Sequence, residues 1–145
     1  NKSKLITAII GDGSVPMNVQ ELETIKNYNV NVKIFVINNG GYSLIKQTQE
    51  TWLESRYAGV DRSSGLSLPD NLKIAKSYGI KTVKISNNRE LILKLKKIYK
   101  TKGPQLIDVR INPNARVFPK IEYGKPLHDM SPRLPSKIIE QILNR

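Results

Sequence analysis

Apolar positions along the chain fall into two periods. Lys4–Ile10 (KLITAII) is almost continuously apolar and is expected to be a strand buried on both faces, as in a parallel sheet. Val32–Ile37 (VKIFVI) has the same character. Each run ends in a loop rich in glycine and oxygen-bearing side chains: Gly11-Asp12-Gly13-Ser14 after the first, Asn38-Asn39-Gly40-Gly41 after the second. Between them Val19, Leu22 and Ile25 recur at helical spacing, and Asn18 with Glu21 forms a capping-box pattern. A helical pattern resumes near Ser43 and runs to about Leu53, before an irregular segment over Arg56–Pro69. Asp70 is placed to cap a short helix carrying Leu72, Ile74, Ala75 and Tyr78, with Gly79 to stop it. Thr82–Ile85 is a short strand. Asn87 and Glu90 open a second capped helix, Gly103-Pro104 ends it, and Leu106–Ile111 is a fourth strand. Asn112–Pro135 holds five prolines and is expected to be extended or looped. Ser136 is placed to cap a last helix carrying Ile138, Ile139, Ile142 and Leu143.

Strands alternating with helices predict an α/β fold, a parallel sheet flanked by helices. The expected organisation is an α/β domain over residues 1–111, with a proline-rich tail and short C-terminal helix over 112–145 packed on the same domain. In such sheets ligands bind beyond the carboxyl ends of the strands, which directs attention to the two glycine-containing loops.

Composition changes this picture little. The 145 residues suffice for one sizeable core, and no apolar stretch approaches the roughly 20 residues of a membrane helix. The chain has no cysteine, which excludes disulfides and thiolate chemistry and suits a reducing cytoplasm. It opens on Asn-Lys-Ser-Lys-Leu and runs at once into an apolar strand, so a piece of a longer chain is expected. The net charge of +12 raises the possibility of nucleic-acid binding. Ten basic residues and one acid, Glu90, lie between Lys73 and Lys102. Leu91, Leu95 and Ile98 recur at i, i+4, i+7, so the lysines beside them belong to the opposite, solvated face. No RNP-like aromatics, helix-turn-helix spacing or zinc pattern supports a nucleic-acid module.

The two loops carry the candidate chemistry. If their strands are close in the sheet, Asp12 and Asn39 converge at one edge. A carboxylate and an amide oxygen are hard ligands, suited to Mg²⁺ or Ca²⁺. Near phosphates Mg²⁺ takes only one or two carboxylates, the rest of its shell coming from phosphate, water or a backbone carbonyl. Ser14 and the loop N–H groups can face a phosphate. Taken singly, each loop has the composition of an ordinary turn.

Gly11-Asp12-Gly13, then 24 residues, then Asn38-Asn39, resembles the cofactor motif of the thiamine-diphosphate-dependent enzymes. Met17, Asn18, Gln20, Glu21, Leu22 and Thr24 extend the likeness toward the acetolactate synthase branch. So do Val117, Pro119, Gly124 and Leu127-His128-Asp129-Met130 near the end. The resemblance covers most of residues 4–131. It implies the diphosphate-binding fold of an acetolactate synthase-like large subunit, with Mg²⁺ held by the side chains of Asp12 and Asn39 and a carbonyl of Gly41. Gly11, Gly13, Ser14, Gly40 and backbone groups around Tyr42, Ser43 and Leu44 would face the diphosphate. The implied substrate is a 2-keto acid, decarboxylated with the thiazolium ring as electron sink and then ligated. The family's catalytic glutamate belongs to a pyrimidine-binding domain of the same or a neighbouring subunit, so the intact protein is expected to be a homodimer or homotetramer. This stretch alone is expected to be inactive.

One departure bears on substrate. Where acetolactate synthases read Gly-Met-Val-x-Gln-Trp, this chain reads Ser43-Leu44-Ile45-Lys46-Gln47-Thr48, so Thr48 stands in place of a tryptophan of the acceptor pocket. Asn39–Tyr42 (NGGY) looks more like the decarboxylase branch, which makes a 2-keto acid decarboxylase the alternative. A nucleotide-binding module fits less well: Gly11-x-Gly13-x-x-Pro16 lacks the third glycine of the dinucleotide fingerprint, and no Gly-Lys-Ser/Thr loop is present. His128, the single histidine, is read as a packing or hydrogen-bonding residue, Gln47 and Gln49 as ordinary polar positions, and Trp52 and Tyr57 as core or interface residues. Arg56, Asp61 and Arg62 are weak candidates for a lid.

Overall fold

The computed structural model describes residues 4–121 and 124–144, in two compact units, 1–115 and 116–145. The boundary falls a few residues beyond the expected one. The first unit contains four parallel strands, β1 (Ile6–Gly11), β2 (Val32–Asn38), β3 (Lys81–Ile85) and β4 (Gln105–Arg110), in the spatial order β1-β2-β4-β3. Four helices connect or flank them: α1 (Glu21–Asn27), α2 (Ser43–Trp52), α3 (Asn71–Ser77) and α4 (Asn88–Lys100). Ile10 pairs with Val36, and Val36 with Asp108, so the carboxyl ends of β1, β2 and β4 lie side by side.

Two apolar clusters sandwich the sheet. One gathers Val15, Leu22, Ile34, Val36, Ala75, Ile80 and Leu106, with Val19 and Ile25 packed against it. The other gathers Phe35, Ile85, Ile98 and Ile107, with Leu91 and Leu95. β2 and β4 are central and largely buried on both faces, as the apolar run Val32–Ile37 predicts for β2. α4 behaves as its spacing requires, with Ile98 buried and Lys96, Lys97 and Lys100 exposed.

β1 differs from expectation. It is an edge strand, and Ile9 is 70% exposed. Apolar sequence alone could not say that only one of its sides is paired. Lys33 is the converse case, a lysine inside buried β2 with no exposed surface. Its Nζ donates to Thr101 O (2.7 Å), Gly103 O (2.6 Å) and Asn31 Oδ1 (3.2 Å), which satisfies all three of its donors. Burial, with Lys81 nearby, pushes its pKa down.

The caps split. Asp70 accepts from the N–H groups of Leu72 and Lys73, and Asn87 accepts from Glu90 N, as expected. Asn18 caps nothing: Pro16–Asn18 forms a short 3₁₀ turn, and α1 starts only at Glu21 with no side-chain cap. Proline at the start of that turn favours helical φ ahead of Asn18, which leaves Asn18 inside the turn rather than at a cap.

The second unit contains a two-residue antiparallel pair, β5 (Lys120–Ile121) with β6 (Met130–Ser131), and α5 (Ser136–Leu143). The proline-rich stretch is therefore not wholly irregular. Ser136 is the first residue of α5 rather than its cap; Pro135 holds the cap position without a side-chain bond.

Candidate functional site

The two glycine-containing loops meet. Asp12 follows β1, is 4% exposed, and its carboxylate spans both loops. Oδ1 accepts from Gly13 N (3.0 Å) and Oδ2 accepts from Gly40 N (2.8 Å), 28 residues away. Burial raises the Asp12 pKa, partly offset by the N–H groups of Gly40 and Gly13. A charged oxygen pair held in this way, with no side-chain cation bonded to it among the described contacts, is a setting that a hard cation would stabilise.

Asn39 turns inward on its own loop. Its Oδ1 accepts from Gly41 N (3.0 Å), and its Nδ2 donates to Ser43 Oγ (2.8 Å), which fixes the start of α2. An amide oxygen has two lone pairs, so one remains for a second partner. Gly41 is buried, and a Cβ there would overlap the carbonyl oxygen of Val60. That carbonyl accepts from Tyr42 N at 2.8 Å. Gly13 has a similar constraint, because a Cβ would overlap the Tyr42 ring. Both glycines are required by close approach, and the Tyr42 ring closes over the first loop. Ser14 is exposed, and its N–H donates to Gly11 O (3.1 Å). Leu44 is exposed on the first turn of α2.

Asp12, Asn38, Gly40, Asn71, Asp108 and Arg110 help line a cleft of about 580 Å³ at the carboxyl end of the sheet. A smaller one of about 70 Å³ takes in Asn39, Gly41, Ser43 and Asp61. Three contributors escaped the sequence reading. Asn71 is buried; its Nδ2 donates to Asp12 O (3.0 Å), while its Oδ1 has no partner. Asp108 is 2% exposed on β4 and bonds Asn38 and Arg110. Its signal was available, as an acid inside the apolar run Leu-Ile-Asp-Val. Val60, which anchors Tyr42, gave no signal.

The remaining candidates sort as follows. Gln47 is buried, whereas Trp52 is 60% exposed and forms no part of the described core. Tyr57 donates to Glu50 Oε1 (3.0 Å), and the Lys46 ammonium sits 4.9 Å from its ring centroid. Asp61 is tied down: it accepts from Lys46 Nζ (2.7 Å), Ser63 Oγ (2.6 Å) and Ser64 N (3.0 Å). The Lys46 ammonium, with the serine hydroxyls, holds its pKa well below the usual carboxylate range. His128 lines a surface hollow of the second unit with Asp129 and Arg133.

The family model described as "Thiamine pyrophosphate enzyme, C-terminal TPP binding domain" matches residues 1–109. The chain belongs to this family. Thiamine pyrophosphate is another name for thiamine diphosphate, which these enzymes use with Mg²⁺. Over 125 residues the chain is 38% identical to an acetolactate synthase large subunit of Cyanidium caldarium, covering 86% of this chain and 21% of that protein. Over 134 residues it is 33% identical to "Acetolactate synthase 1, chloroplastic" of Zea mays, covering 90% and 21%. The chain thus spans about a fifth of the curated relatives it matches. Among solved structures, a thiamine diphosphate-dependent 4-hydroxybenzoylformate decarboxylase of Rhodococcus jostii RHA1 shares the fold (TM-score 0.67, 24% identity). That match covers 76% of this chain and 20% of the solved chain. Among the described residues, no helix of this thiamine pyrophosphate-binding domain is long and apolar enough to cross a membrane.

Proposed function

We propose that this domain holds the Mg²⁺–diphosphate end of thiamine diphosphate in an acetolactate synthase-like enzyme that decarboxylates a 2-keto acid and ligates the product. The observation that carries the proposal is the Asp12 carboxylate bonded across both loops, to Gly13 N and Gly40 N. The donor set fits a hard divalent cation. No three His, Cys, Asp or Glu residues gather among the described residues, so a cation here depends on Asp12 together with amide and carbonyl oxygens. Asp12 and Asn39 supply the side-chain oxygens and Gly41 a carbonyl. Gly11, Gly13, Ser14, Gly40, Tyr42, Ser43 and Leu44 line the approach for the diphosphate, chiefly with backbone groups. Thiamine diphosphate, when bound, supplies a thiazolium ring that accepts the electron pair released on loss of CO₂.

This chain's own task is binding and orientation. Gly13 lets the Tyr42 ring approach the phosphate loop, and Gly41 lets the second loop dock on Val60. The partner is a pyrimidine-binding domain of the same or a neighbouring subunit, in a homodimer or homotetramer. That partner supplies the catalytic glutamate, so the domain alone is inactive. A cytoplasmic setting is the compartment proposed from the cysteine-free sequence; the Zea mays relative is named for the chloroplast. Decarboxylation without ligation is the second reading. It is favoured by Thr48, which is exposed on α2 and bonds back to Leu44 O (3.1 Å) where a tryptophan would reach outward.

The test is calorimetric titration of the full-length protein with thiamine diphosphate in Mg²⁺, with NAD and an oligonucleotide as comparators. Saturable, Mg²⁺-dependent binding of thiamine diphosphate alone is expected, and Asp12→Ala should abolish it. Unchanged affinity in Asp12→Ala would overturn the assignment.

A further inference from the structure

Asp108 lies on β4, beside β2 that leads into the second loop, two strands from β1 that leads into the first, and two residues short of the carboxyl edge. Its carboxylate is buried and bonded at both oxygens. Oδ1 accepts from Asn38 Nδ2 at 2.6 Å, and Oδ2 accepts from Arg110 Nε at 3.0 Å. The first bond has a consequence for the second loop. An ionised carboxylate only accepts, so the Asn38 amide must turn its NH₂ toward Asp108 and its oxygen the other way. That oxygen accepts from Gly40 N at 3.2 Å. The same N–H is the one bonded by Asp12 Oδ2 at 2.8 Å. Gly40 N is therefore shared between the aspartate of one loop and an asparagine whose orientation is dictated from β4.

We infer that Asp108 is a positioning residue for the metal site: acting through Asn38, it sets the Gly40 peptide that holds the Asp12 carboxylate. Asp108 does not touch the cation. It removes the freedom of Asn38 to flip, and so fixes the direction in which the Gly40 N–H points. Arg110 Nε holds the second oxygen at 3.0 Å. Outer partners of this kind, bonded to the groups that carry a metal's ligands, change metal affinity by about 10- to 100-fold when removed. The inference rests on the cofactor-holding role proposed above.

Asp108→Asn is the direct probe. Its side chain can accept or donate, so it no longer dictates how the Asn38 amide faces. In the full-length protein, with thiamine diphosphate saturating, Mg²⁺ is titrated calorimetrically and the melting of the metal-free protein is recorded in parallel. The Kd for Mg²⁺ should rise about tenfold. The swap Asn38→Asp/Asp108→Asn restores a single-valued pair: the amide now on β4 donates to the carboxylate now on the loop, which also accepts from Gly40 N. Its Mg²⁺ affinity should return to within about threefold of the native value, while the metal-free melting of Asp108→Asn stays close to native, a split that a purely structural role of Asp108 would not produce. If Asp108→Asn fails to fold, the swap carries the test: a folded swap with near-native affinity supports the inference. Native Mg²⁺ affinity in Asp108→Asn, or a folded swap as weak as Asp108→Asn or weakened tenfold, overturns it. Loss of binding in Asp12→Ala beside native affinity in Asp108→Asn would defeat this inference alone; native binding in Asp12→Ala would defeat the cofactor assignment.

Discussion

Two loops of the first unit are each organised by an aspartate, and the two aspartates are held in opposite ways. Asp12 is buried and accepts only backbone N–H groups, and burial raises its pKa. Asp61 sits in the irregular segment with an ammonium 2.7 Å away and three hydrogen bonds from serines besides, and its pKa is depressed. The first arrangement leaves negative charge uncompensated, while the second neutralises it on the spot. An aspartate that has its own lysine has little to offer a metal ion, and one with only peptide dipoles around it has a great deal. Both are nonetheless part of one device, because the Asp61 loop presents the Val60 carbonyl on which Gly41 and Tyr42 dock.

The comparison breaks most visibly under ligand. At a cofactor–Mg²⁺ concentration of about 100 times Kd, the intact protein should gain about 2.7 kcal/mol of stability. Asp12→Ala should gain none, while Asp61→Ala should keep most of the increment, as read by thermal melting with and without ligand. An equal response of the two variants would mean that the contrast in their surroundings has no bearing on binding.

A smaller effect tests the docking between the loops. Gly41→Ala places a methyl group against the Val60 carbonyl oxygen, so either the loop or the Asp61 segment has to move. The expected cost is about 1–3 kcal/mol in the metal-free protein, measured by denaturant unfolding. A silent Gly41→Ala would show that the loop is free to rise from Val60.

The smallest effect lies in pH, and its sign separates the two aspartates. Because the folded Asp12 pKa is raised, the native state binds more protons than the unfolded chain. Asp12 therefore makes the metal-free protein lose stability as pH rises from the ordinary carboxylate range through the raised folded pKa. Asp61 has a depressed folded pKa, so its contribution is present above the ordinary carboxylate range and is lost as pH falls toward the folded value. Stability measured against pH for Asp12→Asn and Asp61→Asn should differ from the native curve with opposite slopes. Added Mg²⁺ should remove the Asp12 slope and leave that of Asp61. Parallel curves would refute the contrast.

The chain's own order of residues determined a good deal. Two predominantly apolar runs pointed to strands, and the lysine spacing of α4 to a solvated face, because burial and periodicity are local consequences of side-chain type. Gly-Asp-Gly and Asn-Asn each have the composition of a turn; following two buried strands, and at a spacing that resembles the thiamine-diphosphate motif, they named the candidate site. Only the tertiary structure decided that β1 would stand at an edge, since pairing depends on what lies beside a strand and not on its composition. It also decided that Asn71, Asp108 and Val60 would support the site, each from a segment far away in sequence. Hydrogen bonds and steric fit act through space between groups that the chain brings together only on folding. That is why Asp12 could be read from the sequence as a candidate, and the residues that surround its loop could not.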